Sequence, residues 1–396
     1  MNRRNFIKSA SLASTALFLP KFVSGFNLLD EAIATGKKIV IIQLSGGNDG
    51  LNTIVPFRND IYYKKRPSLA QQKSNLIGIT DEIGFHESLI AHSDLYNNGE
   101  LCVINNVGYP NPNRSHFRAT DIWHTASDAN EYLQSGWIGR YLDASKSKSL
   151  DAIEVDDTLS LMLKGEQTDG IATKNPNLFY RSTQAPYFKK VVEHHDEAHL
   201  SEHNLGYLYK TMVTASSSAK YIYETSKTFS TKTTYPNTGF SKQLKQVAQF
   251  INSGLQTKVY YASLGGFDTH ANQTNKQKRL LSVYDEAMAA FIKDLKQEDS
   301  FKDTLILTFS EFGRRVQQNA ANGTDHGTAN QVFLIGSQLK KPGFYNPMAD
   351  LSNLDENGDL KYEIDFREIY TSVLNNWLDI DAKKVIGKPF SGLNVV

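Results

Sequence analysis

Residues able to ligate a metal ion or activate a nucleophile fall in five short stretches of this chain, each beside an apolar run. Ser45-Gly46-Gly47-Asn48-Asp49-Gly50 delivers an aspartate after two glycines, whose backbone freedom permits a tight turn. Arg114-Ser115-His116 sets a serine at the start of the helical pattern Phe117–His124. Backbone N–H groups and the helix dipole there favour anions and lower the cost of an alkoxide, although the same serine also suits a plain N-cap. Gly265-Gly266-Phe267-Asp268-Thr269-His270 places an acid and an imidazole two residues apart, close enough to reach one cation. Ser310-Glu311-Phe312-Gly313-Arg314-Arg315 offers Glu311 as a hard oxygen ligand. Arg114 and Arg314 suit planar oxyanions such as phosphate or sulfate. Gly323-Thr324-Asp325-His326-Gly327-Thr328 adds His326 as a metal ligand or acid. None of these is a P-loop or a dinucleotide fingerprint. Each alone also reads as a polar turn; jointly they point to a divalent-cation site.

Two other polar clusters are set aside. His194, His195, His199 and His203 include three histidines spaced four apart, but Asp196 follows His195 where a zincin helix needs Glu. They read as a solvated helix face. Asp355-Glu356-Asn357-Gly358-Asp359 has its glycine misplaced for a calcium loop and no glutamate at the twelfth position, so it reads as a turn.

For distant residues to share one cavity, the elements between them must bring their loops to one edge. Lys38–Leu44, Leu101–Asn105, Val259–Leu264, Thr304–Phe309 and Val332–Ile335 are continuous apolar runs, the pattern of parallel strands covered on both faces. Ser241–Leu255, Leu280–Leu295 and Phe366–Leu378 carry apolar stripes at helical spacing. Strands alternating with helices predict an α/β layered fold, in which functional loops gather beyond the carboxyl ends of the strands. The less regular stretch of residues 145–239 reads as an insertion or cap on a single domain spanning 26–396.

Residues 1–25 have the basic–apolar–small layout of an export signal, with Arg3-Arg4 ahead of Phe6-Ile7-Lys8 in twin-arginine fashion. The expected address is the periplasm, the expected partner the twin-arginine translocase, and no membrane-spanning segment remains after cleavage. Without that segment the balance moves from 43 basic against 42 acidic residues to 39 against 42. A net charge near −3 argues against nucleic acid as a partner. Cys102, the single cysteine, sits in the apolar run Leu101–Ile104 and reads as a buried small hydrophobe.

The motifs QLSGGNDGLNT, RSHFRATDIW, GGFDTH, SEFGR with GTDHGT, and the closing DFREIY, together with the twin-arginine start, resemble the DUF1501 family. That family is grouped with the alkaline phosphatase and sulfatase-like superfamily. The resemblance implies a three-layer α/β/α sandwich with a mostly parallel central sheet and a two-metal ester hydrolase site. It implies that Asp49 holds one cation, that Asp268, His270 and His326 hold the other, and that Ser115 is the nucleophile. Glu311 stands where the superfamily has the aspartate of an Asp-His-Gly motif, and Phe312 stands in place of that histidine. A phenyl ring cannot ligate. Two functions follow: a hydrolase of phosphate or sulfate esters using Zn, Mn, Mg or Ca, or a non-catalytic descendant binding a glycan, an anionic ligand or a protein partner.

Overall fold

A computed structural model describes residues 36–193 and 203–396. The export signal at 1–25 and His194, His195 and His199 lie outside the described residues; His203 opens the helix His203–Ser226. The strands are β1 (Lys38–Ser45), β2 (Ile54–Val55), β3 (Leu76–Gly78), β4 (Gly84–His86), β5 (Leu101–Gly108), β6 (Ala152–Glu154), β7 (Ile171–Ala172), β8 (Val259–Gly265), β9 (Thr304–Phe309), β10 (Asn330–Ile335), β11 (Gly343–Phe344) and β12 (Ile364–Asp365). β2, β4 and β3 form a small antiparallel sheet. The other nine form one sheet in the order β11-β5-β10-β9-β1-β8-β6-β7, with β12 also on β5.

The direction of β10 matters most for the site. It runs antiparallel to both β9 and β5, and every other pairing in the large sheet is parallel. The carboxyl ends of β1, β5, β8 and β9 therefore share one edge, and the amino end of β10 arrives at that same edge. All five predicted motif loops start or finish there.

β1 lies between β8 and β9 and feeds both faces of the sheet. Ile39 and Ile41 join a core formed with Trp123, Trp137, Phe366 and Tyr370. Val40, Ile42 and Leu44 point into a second core with Leu244, Phe250, Leu281 and Phe291. Strand residues alternate faces, so one apolar strand needs helices on both sides. The result is the three-layer α/β/α sandwich. On the second face, the helix Gly239–Asn252 starts where the Thr238 side chain accepts from Ser241 N at 3.1 Å. It packs beside the long helix Gln273–Gln297. The closing helix begins with Asp365 capping Arg367 N and passes from α-helix (Phe366–Ser372) into a π-helical turn (Val373–Trp377). Trp377 Nε1 donates to Lys38 O at 2.9 Å, which pins this end of the chain to β1.

Within residues 145–239, β6 and β7 extend the central sheet. The helices Pro176–Thr183 and Pro186–Glu193 pack on His203–Ser226, which also touches the helix Gly239–Asn252. Cys102 is fully buried on β5, and burial pushes its thiol up to about 12. Among the described residues no helix is long and apolar enough to cross a membrane.

Leu307 on β9 is fully buried. Leu307→Ala is expected to cost about 2–5 kcal/mol, read as a lower urea midpoint at unchanged slope. Ile90→Ala, at a side chain 64% exposed, is expected to move stability by no more than ~0.5 kcal/mol.

Candidate functional site

Three imidazoles surround one carboxylate oxygen at this sheet edge. Asp268 Oδ1 lies 3.1 Å from His270 Nε2, 3.2 Å from His326 Nε2 and 3.4 Å from His116 Nε2. The Nε2 atoms of His270 and His326 are 2.9 Å apart. Each Nδ1 faces an acceptor: Glu311 Oε1 at 2.9 Å from His116, Asp325 Oδ1 at 3.1 Å from His270, and the Arg114 carbonyl at 2.7 Å from His326. An acceptor on Nδ1 favours a proton there, so a ring in its neutral form would turn its Nε2 lone pair toward the common point. Ligand atoms about 2.0–2.1 Å from a tetrahedral zinc ion stand ~3.3 Å from one another. The separations around Asp268 are close to that.

Electrostatics favour an ionised Asp268 and a neutral His326, while Glu311 favours the protonated form of His116. Burial by itself would raise the Asp268 carboxyl, but hydrogen bonds from Arg314 and His326 and the Arg314 charge hold it well below the usual carboxylate range. Burial lowers His326. The hydrogen bond to Glu311 raises His116. The Asn319 amide, 3.0 Å from Asp325, lowers that acid with help from His270. His116 Nε2 is buried with no hydrogen-bond partner. A buried lone pair left unsatisfied beside a carboxylate and another imidazole is a place a cation fits. One ligand atom each from His116, Asp268 and His326 lies within 4.8 Å of the others, and His270 stands outside that set, beside Asp268 and His326.

The supports of these ligands are buried. Glu311 is 1% exposed. Its Oε1 also accepts from Gly46 N at 2.7 Å, and its Oε2 from Gln43 Nε2 at 3.3 Å. The Gln43 amide is oriented in turn because its Oε1 accepts from Tyr261 OH at 2.5 Å and faces His124 Nε2 at 3.2 Å. Phe312 packs against His116 (ring centroids 4.8 Å) and His326 (4.7 Å), walling the two imidazoles on their apolar sides. Two glycines make this approach possible. Gly46 has φ +115°, and a Cβ there would lie 2.4 Å from Asp268 N. Gly47 has φ +71°, and its Cβ would lie 2.3 Å from the Phe312 ring.

Residues 105–388 match the family model described as protein of unknown function (DUF1501). The chain belongs to the DUF1501 family. Among curated proteins none matches the sequence. Solved structures it resembles include the zinc complex of the C-terminal periplasmic domain of EcEptC from Escherichia coli, at 12% identity over 96% of each chain and a TM-score of 0.43. The lipoteichoic acid synthase LtaP from Listeria monocytogenes is similar at 10% identity, covering 85% of this chain and 73% of its own, with a TM-score of 0.38. A protein in the alkaline phosphatase superfamily from Vibrio parahaemolyticus is similar at 11% identity, covering 99% of this chain and 80% of its own, with a TM-score of 0.40.

The DUF1501 chain brings Asp268, His270 and His326 side by side; Glu311, expected as a ligand, lies behind them with its oxygens engaged by His116, Gly46 and Gln43. His116 is in the cluster, although the serine beside it drew attention first. Asp325 is an anchor that the GTDHGT motif contained without signalling. Asp49 is a correction: its carboxylate is bound by the fully buried Arg66, at 2.6 Å and 3.0 Å, and by the Gln273 amide. With both oxygens so engaged and the side chain sealed, it is not a ligand of the cluster. Arg314 is another. Its guanidinium is buried and donates to the carbonyls of Gly46, Gly47, Phe267 and Thr324 and to Asp268 Oδ1. Its side chain is sealed from solvent, so it does not face a substrate. Arg114 turns its guanidinium to Asp359 and Asp355, in the turn of residues 355–359. Its carbonyl is what serves the cluster. Ser115 caps the helix His116–Thr125 by position, is exposed, and its hydroxyl makes no hydrogen bond among the described residues.

Asp49→Asn leaves Arg66 charged and poorly paired inside the protein. It is expected to cost about 3–5 kcal/mol by chemical denaturation while leaving the histidine cluster's cation content unchanged per folded molecule. A second test uses pH. Burial lowers His124 from 6.5 to about 3, so the folded state refuses a proton the unfolded chain accepts. The unfolded state binds more protons in this window, and stability must fall as pH drops from 6.5 toward 3. Denaturation midpoints of His124→Leu compared with the parent should converge as the pH is lowered through that range.

Proposed function

We propose that this chain is an exported, metal-dependent hydrolase of phosphate or sulfate esters that works with one cation held by His116, Asp268, His270 and His326. The reading rests on one observation: three histidines are each tied at Nδ1 and face Asp268 with Nε2. The superfamily resemblance implies two cations. Asp49 is bound to Arg66 and Glu311 to His116, Gly46 and Gln43, so the donor set that remains supports one. Three imidazole nitrogens and one carboxylate oxygen favour zinc over magnesium or calcium, which prefer all-oxygen shells.

A bound divalent ion would supply Lewis-acid polarisation of an ester oxygen, which would have to enter as a fifth ligand beside the four that the chain provides. Everything else falls to the chain. One carboxylate and three neutral imidazoles leave a dication with a net single positive charge, which attracts an anionic ester. Asp268 is half-exposed at the mouth, so the cluster is open to substrate. Ser115 sits between His116 and Arg114, the residues that give the cluster a ligand and an anchor. In this reading its hydroxyl would attack the phosphorus or sulfur as the bond to the ester's alcohol breaks, the serine proton leaving with that alcohol; water would then release phosphate or sulfate from the serine, and the N–H groups of the helix His116–Thr125 would stabilise negative charge beside it. Glu311, Asp325 and the Arg114 carbonyl hold the imidazoles, and Arg314 holds Asp268. Folding before export would let the cation load in the cytoplasm, which suits the twin-arginine route.

One feature favours the non-catalytic alternative. Arg314 is sealed and Arg114 turns its Nη2 to Asp359, so the arginines expected to grip an ester's oxygens are drawn toward protein acceptors instead. The test is purified protein loaded with Zn, Mn, Mg or Ca and assayed on aryl phosphates and aryl sulfates. Turnover is expected with one ester class and should drop by orders of magnitude in Ser115→Ala. Glu311→Gln is expected to weaken metal affinity ~10–100-fold. Stoichiometric metal should vanish in Asp268→Ala and His326→Ala. Equal traces of activity in the parent and Ser115→Ala would reject the serine, and stoichiometric metal without turnover would select the binding protein.

A further inference from the structure

A groove of about 430 Å³ opens between two helices on the second face of the sandwich, at the end of the helix Gln273–Gln297 farthest from the histidine cluster. Ala91 and Leu95 of the helix Ile90–Asn97 line one wall, and Ala289 and Ile292 of the long helix line the other. Ile90, the residue before Ala91, stays 64% exposed. We infer that residues 26–35 of this chain, the stretch that leads into β1, occupy this groove and cover its apolar surface. The inference makes no use of the hydrolase reading.

Reach is the first argument. Gly36 is the first described residue, and a Cβ on it would lie 3.6 Å from Asp303 Oδ2. Asp303 closes the turn Phe301–Asp303, and Lys296, which borders the groove, holds its Nζ 5.0 Å from the centre of the Phe301 ring. Only a few side chains therefore separate the approach to β1 from the mouth of the groove. From Gln297 to Ala289 the groove follows about 12 Å of helix. Ten residues span up to about 33–36 Å, so the stretch is long enough to run its whole length. Being tethered at the mouth, it acts at a high local concentration and needs no great intrinsic affinity.

Composition is the second. Phe26, Leu28, Leu29, Ala32, Ile33 and Ala34 make six of the ten residues apolar. So dense an apolar run favours a covered place over water. Charge is the third. The stretch carries Asp30 and Glu31 and no basic residue. The groove has walls of opposite sign: Asp94 on the short helix, Lys293 and Lys296 on the long one. Lys296 is held by Glu100 at 2.6 Å, whereas Lys293 is exposed and has no acidic partner among the described residues. The acids of the stretch are thus drawn to the wall that holds Lys293 and repelled from the one that holds Asp94. A second copy of the chain is the competing occupant, and the experiment separates the two.

The full chain is made with the photoreactive p-benzoylphenylalanine in place of Leu29 and irradiated, and mass spectrometry of the digest locates the cross-links. They are expected within a single chain, on the helix Ile90–Asn97 or on residues 289–297. Lys293→Glu should lower their yield about two- to fivefold, the scale of one exposed ion pair, and Asp94→Lys should raise it. Both side chains are exposed, so neither change endangers the fold. Cross-links confined to other surfaces, cross-links between two chains, or a yield indifferent to both substitutions would overturn the proposal. No metal and no turnover enter the readout, so its failure would leave the hydrolase reading untouched.

Discussion

The Arg314 guanidinium holds the functional edge of this protein together. It is buried among acceptors from three loops that no local sequence connects: the carbonyls of Gly46 and Gly47 after β1, the Phe267 carbonyl and the Asp268 carboxylate after β8, and the Thr324 carbonyl before β10. A buried cation is tolerated only where hydrogen bonds replace its water. Here that requirement fixes how far apart the loops can stand. Asp268 enters the arrangement as the one charged acceptor, and it is also the oxygen on which the imidazoles converge. The same contact therefore keeps the carboxylate ionised and sets its position.

Topology makes this convergence possible. In an all-parallel sheet the loop carrying His326 would enter its strand from the opposite edge. The reversal of β10 brings it to the carboxyl ends of β1, β8 and β9 instead. β1 adds a chain of buried side chains behind the ligands, from Tyr261 and His124 through Gln43 to Glu311 and then His116. Glu311, two residues past β9, is tied by Gln43 on β1 to the sheet, so the anchor of His116 is confined more tightly than loop packing alone would hold it.

Much of this was legible in the sequence. Continuous apolar runs announced the strands, because only a strand covered on both faces needs them. Asp268, His270, Glu311 and His326 followed from their places beside strand ends. His116 was hidden by its neighbour: a serine opening a helix has an obvious role, while the orientation of the next side chain depends on Glu311, 195 positions away. Asp49 misled for the converse reason. A strand-end aspartate looks like a ligand until its partner is known, and Arg66 belongs to the run Lys64-Lys65-Arg66 that reads as exposed. Arg314 read as an anion binder because a sequence does not show that its acceptors are backbone carbonyls. Phe312, which looked like the loss of a ligand, packs against two imidazoles of the cluster.

Zinc K-edge X-ray absorption on the zinc-loaded protein tests the central claim most directly. The account predicts a four-coordinate shell of three imidazole nitrogens and one oxygen at about 2.0–2.1 Å, collapsing to weak, heterogeneous binding in His116→Ala. An all-oxygen six-coordinate shell, or a spectrum indifferent to loss of His116, would contradict it.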